Sequence, residues 1–286
     1  MSYVHGYDQR ERERLHDQAG ALVELLHGDT SYPAGARVLE AGCGVGAQTV
    51  TLSARSPQAR FTSIDVSAES IAVARKRKLA NVEFRRADLF AMPHETFDHV
   101  FVCFVLEHLP DPVAALAKLR TMLRPGGTIT VIEGDHGSAY FHPETQAAHE
   151  AIRCLVALQR DAGGDALIGR RLYPLVSAAG FEHVRVSPRM VYVDGSRPNL
   201  IDGFTRKTFT AMIEGVRETA ISEGLIDAAR FDEGIRDLYR TAADDGTFSY
   251  TFFKAVGING VEADDLAGQL AGSGASFTDL LGRAGD

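Results

Sequence analysis

The segment Val38-Leu39-Glu40-Ala41-Gly42-Cys43-Gly44-Val45-Gly46 constrains this chain more than any other. An apolar run enters three alternating glycines and leaves into Ala47-Gln48-Thr49-Val50, so the segment reads as a strand, a tight turn and a helix. Glycines at that spacing let the backbone approach a ligand with no Cβ in the way, and the helix behind them points its free N–H groups at the same place. Where short apolar runs then alternate with helical segments, the pattern is the sequence form of a parallel sheet covered by helices.

The sequence downstream keeps that alternation. Short apolar runs place strands near 37–41, 60–65, 82–86, 97–103 and 127–133. Ser67 can cap the helix through Lys78, Asp111 and Pro112 can start one carrying Leu116, Leu119 and Leu123, and Pro125-Gly126-Gly127 turns the chain into the fifth strand. Helices near 144–161 and 170–179 and a strand near 182–193 follow. Ahead of the core, Asp8 and Glu11 form a helix cap, and Leu15, Ala19, Leu22 and Leu26 recur at helical spacing up to Gly28. Residues 197–243 read as helical, with Phe204, Phe209, Met212, Ile213, Val216, Phe231, Ile235, Leu238 and Tyr239 at helical intervals, before a final strand from Phe248 to Val256. An insertion of that size before a last strand is better explained as a cap than as a loop.

Charge and cysteine content narrow the function. A net charge of −8 argues against broad capture of nucleic acid, and the one basic cluster, Arg75-Lys76-Arg77-Lys78, sits where a helix end favours cations. No apolar stretch is long enough to span a bilayer and the N-terminus lacks a signal-peptide core, so a cytoplasmic protein without membrane partners is expected. Cys43, Cys103 and Cys154 are odd in number and widely spaced, which suggests neither a disulfide framework nor a metal motif.

The glycine turn alone admits two ligands, because Gly42-Cys43-Gly44-Val45-Gly46-Ala47 also satisfies the looser dinucleotide fingerprint. Glu40 separates them: a carboxylate two residues before the first glycine repels a pyrophosphate but suits the ammonium and sulfonium of S-adenosylmethionine. Asp65 ends the next strand where an acid accepts from ribose hydroxyls, and Asp88 follows the third, placed to accept from an adenine amino group while the next N–H donates to the ring.

The motifs Val38 to Gly46, Ile64-Asp65, Ala87-Asp88-Leu89, Phe97-Asp98-His99-Val100 and Leu123-Arg124-Pro125-Gly126-Gly127, in that order, resemble those of class I S-adenosylmethionine-dependent methyltransferases. The resemblance implies a doubly wound, mostly parallel seven-stranded sheet with an antiparallel last strand. It divides the chain into an N-terminal lid helix over 1–35, a Rossmann-like core over 36–196, a helical cap insertion over 197–247, the last core strand over 248–259 and a flexible tail over 260–286. It also implies that Glu40, Gly42 and Gly44 surround the methionine part, Asp65 holds the ribose, and Asp88 with Leu89 meets the adenine. Phe104 and Gln48 are further contacts, and Tyr3 and Tyr7 resemble lid residues.

Methyl transfer from a sulfonium is an in-line displacement that needs no acid for the leaving group. An acceptor hydroxyl or protonated amine does need a base, and histidine suits that near neutral pH. His136 is the first candidate and His108 and His142 the others. Glu107 follows the fourth strand, and Glu133, Asp135 and Tyr140 the fifth, at the edge where α/β sheets place ligands. The aromatic cap suggests a partly apolar small-molecule acceptor, such as a natural-product or quinone-like intermediate. Whether oxygen, nitrogen or carbon is methylated stays open, as does the oligomeric state, with a dimer possible. The competing readings are a non-catalytic cofactor-binding regulatory protein and an NAD(P)-dependent oxidoreductase.

Overall fold

The computed structural model describes residues 22–260. The expected tail and the first part of the lid helix, with Tyr3 and Tyr7, lie outside the described residues. What is described of the first helix, α1 (22–27), closes at Gly28, whose N–H donates to the Glu24 carbonyl at 3.0 Å.

The sheet runs β3-β2-β1-β4-β5 in parallel, built from β1 (Arg37–Ala41), β2 (Arg60–Asp65), β3 (Val82–Arg86), β4 (Phe97–Cys103) and β5 (Leu123–Gly134). The long strand β8 (Thr247–Asn259) pairs antiparallel with β5 on one side and with β7 (Phe181–Val193) on the other. Among the described residues the sheet has one strand more than the seven expected. After β5 the chain makes one short turn and pairs again with the start of β8 as β6 (Tyr140–His142), extending the edge that β5 leaves uncovered.

Helices cover both faces: α2 (Ala47–Arg55), α3 (Ala68–Arg75), α4 (Pro112–Thr121), α5 (Gln146–Asp161) and α6 (Leu172–Ala178). Ser67 accepts from the Ser70 N–H and Asp111 from the Ala114 N–H, so these caps form as the sequence predicts. Along β4 the side chains alternate. Phe101 and Cys103 join the core under α1, α5 and the insertion, while Val100 and Val102 join the core under α4 and α6.

The segment between β7 and β8 is helical: a wide i→i+5 turn over Ile201–Thr210, short helices Ala211–Glu214 and Arg217–Ser222, and a longer helix Ala228–Arg240. Phe204 and Phe209 lie within 4.8–6.0 Å, centroid to centroid, of Phe248 or Tyr250 on β8. These rings are at most 2% exposed, and burying each contributes about 2 kcal/mol. The aromatics that suggested a substrate cavity therefore form the seam that fastens the insertion to the sheet.

A buried lysine fixes the chain ahead of β1. Lys254 on β8 donates from Nζ to the Leu26 carbonyl (3.2 Å), Asp29 Oδ1 (2.5 Å) and Thr30 Oγ1 (2.6 Å), and Arg189 on β7 also pairs with Asp29. Among the described residues no helix is long and apolar enough to cross a membrane.

Candidate active site

β1 ends in a turn where Gly42 (φ 76°), Gly44 (φ 51°) and Gly46 (φ 75°) all adopt the left-handed conformation that side chains disfavour. The reasons for glycine differ by position. A Cβ on Gly42 would stand 2.3 Å from Val105 Cγ2, so the turn can pack against the end of β4 only without one. A Cβ on Gly44 would meet nothing within 4 Å and would project into the open cradle.

The three acids of this cradle are each held by nearby groups. Asp65 accepts from the Gly44 N–H through Oδ2 and from the Ser67 N–H through Oδ1, both at 2.8 Å, which locks the turn to the end of β2. A carboxylate has about four lone-pair sites, so acceptor capacity remains for two ribose hydroxyls. Asp88 is exposed and accepts from the Phe90 N–H at 2.9 Å, with Leu89 half-buried beside it. Val66 and Phe90 are 59% and 55% exposed next to these acids, as a planar apolar ring bound between them would require.

Glu40 sits deeper than a simple ligand contact. It is buried, and its Oε2 accepts from Thr49 Oγ1 (2.7 Å) on α2 and Ser63 Oγ (2.6 Å) on β2. Burial pushes its carboxyl up to about 7, against those two hydrogen bonds, and the neighbouring Asp65 charge adds to the rise. Glu40 is thus a buried brace that ties the turn to α2 and β2.

Gln48 takes a hydrogen bond through Oε1 from His27 Nε2 at 2.6 Å, tying α2 to α1. Burial drives His27 down to about 4, so it is neutral and donates there. Phe104, just past β4, has a left-handed φ of 58° and a ring 5.6 Å from Phe252. A non-glycine residue in that conformation costs about 1 kcal/mol or more and is typical of functional sites.

Beyond Phe104 lies a second, largely buried polar cluster. Glu133, at the end of β5, accepts through Oε1 from the N–H groups of Val105 (3.0 Å) and Leu106 (2.7 Å), capping the short turn Leu106–His108. Its Oε2 is buried without a partner. Burial, with repulsion from Glu107, raises the Glu133 carboxyl well above the ordinary range, so it holds a proton. Asp135 is buried and gripped in bidentate fashion by Arg170, both contacts 2.7 Å.

His136 is buried with Nδ1 2.9 Å from the Tyr250 hydroxyl and Nε2 3.8 Å from Glu107 Oε2. Glu107 also accepts from Gln159 Nε2, at 3.1 Å to Oε2 and 3.0 Å to its backbone carbonyl, and His108 Nε2 lies 3.6 Å from Oε1. His108 and His136 are therefore gathered around Glu107. His142 is not: it sits exposed on the edge strand β6, paired in register with Thr247.

Comparison with known proteins agrees with this geometry. Residues 38–127, which span the turn, Asp65, Asp88 and the strand-four end, match a family described as a methyltransferase domain. This region is a methyltransferase domain of the class I, S-adenosylmethionine-dependent kind. A trans-aconitate 2-methyltransferase of Azoarcus sp. (strain BH72) is 41% identical over 126 residues, covering 44% of this chain and 49% of its own. A ubiquinone biosynthesis O-methyltransferase of Xanthomonas axonopodis pv. citri is 38% identical over 103 residues, covering 34% and 42%. The structure of phosphoethanolamine N-methyltransferase 2 of Haemonchus contortus, solved with S-adenosylhomocysteine, overlays with a TM-score of 0.52 at 17% identity over 86% of this chain and 53% of that one. The chain spans about half the length of the curated relatives it matches.

Sequence reasoning missed Tyr250, Gln159 and Arg170, which complete the buried polar cluster around Glu107, Asp135 and His136. For Tyr250 a signal existed. Phe248, Tyr250 and Phe252 recur with period two and share one face of β8, and the phenol among them needs a polar partner once buried. Gln159 and Arg170 carry no such signal, since their partners lie 52 and 35 residues away.

Proposed function

We propose that this chain transfers the methyl group of S-adenosylmethionine to a small, partly apolar molecule with a natural-product or quinone-like character. The observation that carries this reading is the Gly44 cradle. An open left-handed glycine there is locked to Asp65, with Glu40 bracing from below and exposed Val66 and Phe90 alongside. These residues fit S-adenosylmethionine: Asp65 for the ribose, Asp88 and Leu89 for the adenine, Glu40 and the backbone of Gly42 and Gly44 for the cationic end. The cofactor supplies an electrophilic methyl on a sulfonium, which leaves as a neutral thioether.

The protein's part is to hold the acceptor in line and keep water out. Phe104, strained at the end of β4, precedes in the chain the cluster of Glu107, His108 and His136, where we place the acceptor. Activity on trans-aconitate in one named relative and on a ubiquinone precursor in another supports a small acceptor.

The test is calorimetric titration with S-adenosylmethionine and with NAD, followed by measurement of S-adenosylhomocysteine release over a panel of small acids, phenols and quinols. Binding of S-adenosylmethionine alone, with release on at least one acceptor, is expected. Binding without release on any of them would favour the non-catalytic regulatory reading.

A further inference from the structure

The end of α1 is clamped from two sides. Lys254 on β8 donates to the Leu26 carbonyl and to the side chains of Asp29 and Thr30, while Arg55, in the last turn of α2, donates to the carbonyls of Gly28 and Thr30. His27 lies inside this clamp, buried, with its ring 5.7 Å from that of Phe101 on β4. Its Nε2 reaches Gln48 Oε1 at 2.6 Å, and its Nδ1 is buried without a partner. An apolar side chain would fill the same space without desolvating an imidazole, so packing does not account for a histidine here.

What His27 holds is the first turn of α2, directly after the glycine turn. Neighbouring residues of that turn are tethered to different elements: Thr49 Oγ1 donates to Glu40 on β1 at 2.7 Å, and Gln48 is tied back to α1. An amide whose oxygen is pinned cannot exchange its two ends, so the N–H donors of Gln48 are the part left for a ligand. Those donors have no hydrogen-bond partner among the described residues, and the Nε2 atom is not sealed from solvent. The helix begins at Gly46 with no side-chain cap and no acid in its first turn, so its leading N–H groups are also without acceptors. One turn thus carries an acid, Glu40, and a set of free donors, which is the pairing that the ammonium and carboxylate of an α-amino acid require.

We propose that His27 is a positioning residue for the amino-acid end of the methyl donor: by fixing the Gln48 amide it presents the N–H donors to the donor's carboxylate. This rests on the methyl-transfer reading above, with Gln48 as a contact of the donor. His27 itself touches no ligand. The chemistry recognised is a free carboxylate on an α-amino acid, which S-adenosylmethionine and S-adenosylhomocysteine carry and 5′-methylthioadenosine lacks. The arrangement also couples recognition to the seating of α1, because the clamp formed by Lys254 and Arg55 is what places the imidazole against Gln48. When the end of α1 leaves that clamp, the amide loses its orientation and the carboxylate loses its donors.

Calorimetric titration of the full chain with S-adenosylhomocysteine and with 5′-methylthioadenosine tests the proposal. His27→Phe keeps a ring in the space and removes the donor, and should weaken S-adenosylhomocysteine about 10-fold while 5′-methylthioadenosine stays within about threefold. His27→Leu is a second variant without a donor, and thermal melts show which of the two is folded. His27→Gln, whose amide can donate in place of Nε2, should recover part of the lost affinity. Gln48→Ala should show the same selectivity between the two ligands. His27→Phe combined with Gln48→Ala should bind no more weakly than Gln48→Ala alone, because the histidine acts only through the amide. Equal losses for the two ligands, additive losses in the double variant, or parent-like S-adenosylhomocysteine affinity in Gln48→Ala or in a folded His27→Phe or His27→Leu overturn the proposal. Failure of the parent chain to bind either ligand defeats the methyl-donor reading instead, so the two are separable.

Discussion

The half of the molecule proposed to hold the methyl donor and the half proposed to hold the acceptor are both built from acids at strand ends, but they hold those acids differently. On the donor side Asp65 and Asp88 are gripped by backbone N–H groups of their own turns, and Glu40 by hydroxyls on the two adjoining elements. On the acceptor side the partners are remote: Arg170 for Asp135, Gln159 for Glu107, and Tyr250, 114 residues away, for His136. Turn-built acids stay partly open and available to a ligand. Acids buried by tertiary packing depend on partners brought in from distant segments, and burial drives Glu133 toward its neutral form.

Two glycines give the sharpest contrast between the halves. Gly42→Ala places a Cβ 2.3 Å from Val105 at a left-handed φ, and should weaken S-adenosylmethionine binding by more than about 100-fold in calorimetry. Gly134→Ala places one 2.3 Å from the Tyr250 hydroxyl, and should abolish methyl transfer while cofactor affinity stays within about threefold. Thermal melts of both variants separate these effects from unfolding. Equal loss of binding in the two would erase the distinction drawn here.

The pH dependence of stability probes the donor half next. Glu40 titrates near 7 in the folded chain against an ordinary 4.5, so the folded state holds its proton more tightly than the unfolded state. Between those values the folded form is protonated while the unfolded form is not, and stability falls as pH rises. Glu40 accounts for about 3 kcal/mol of that fall. Urea denaturation at pH 5 and pH 8 should show Glu40→Gln losing stability less steeply than the parent. Saturating S-adenosylmethionine should draw a proton off the parent near pH 6, seen as a buffer-dependent binding enthalpy, and Glu40→Gln should lack it.

Smaller effects complete the comparison. Arg170→Ala leaves Asp135 buried without its guanidinium, and should cost about 2 kcal/mol after discounting for the half-exposed arginine, read from denaturant midpoints. Arg240→Ala breaks a surface pair with Asp245 outside both halves, and should leave the denaturant midpoint essentially where it is in the parent. A cost for Arg240→Ala matching that of Arg170→Ala would mean that burial is not what makes the acceptor-side ion pair matter.

The sequence by itself determined the parallel sheet, the helix caps at Ser67 and Asp111, the left-handed glycine turn, and Asp65 and Asp88 at successive strand ends. Each depends on residues close in the chain or on a period that hydrophobic patterning shows directly. Tertiary structure alone decided that the Phe204, Phe209 and Phe248 rings pack as a seam, that β6 adds an eighth strand, and that His142 sits apart from His108 and His136. It also decided the contacts within the buried polar cluster. The contact of His136 depends on a phenol delivered by the last strand, and the rise of the Glu133 carboxyl depends on how deeply it is buried. A hydrogen-bond direction or a desolvation penalty arises only when distant segments meet and water leaves, and no local pattern in the chain encodes it.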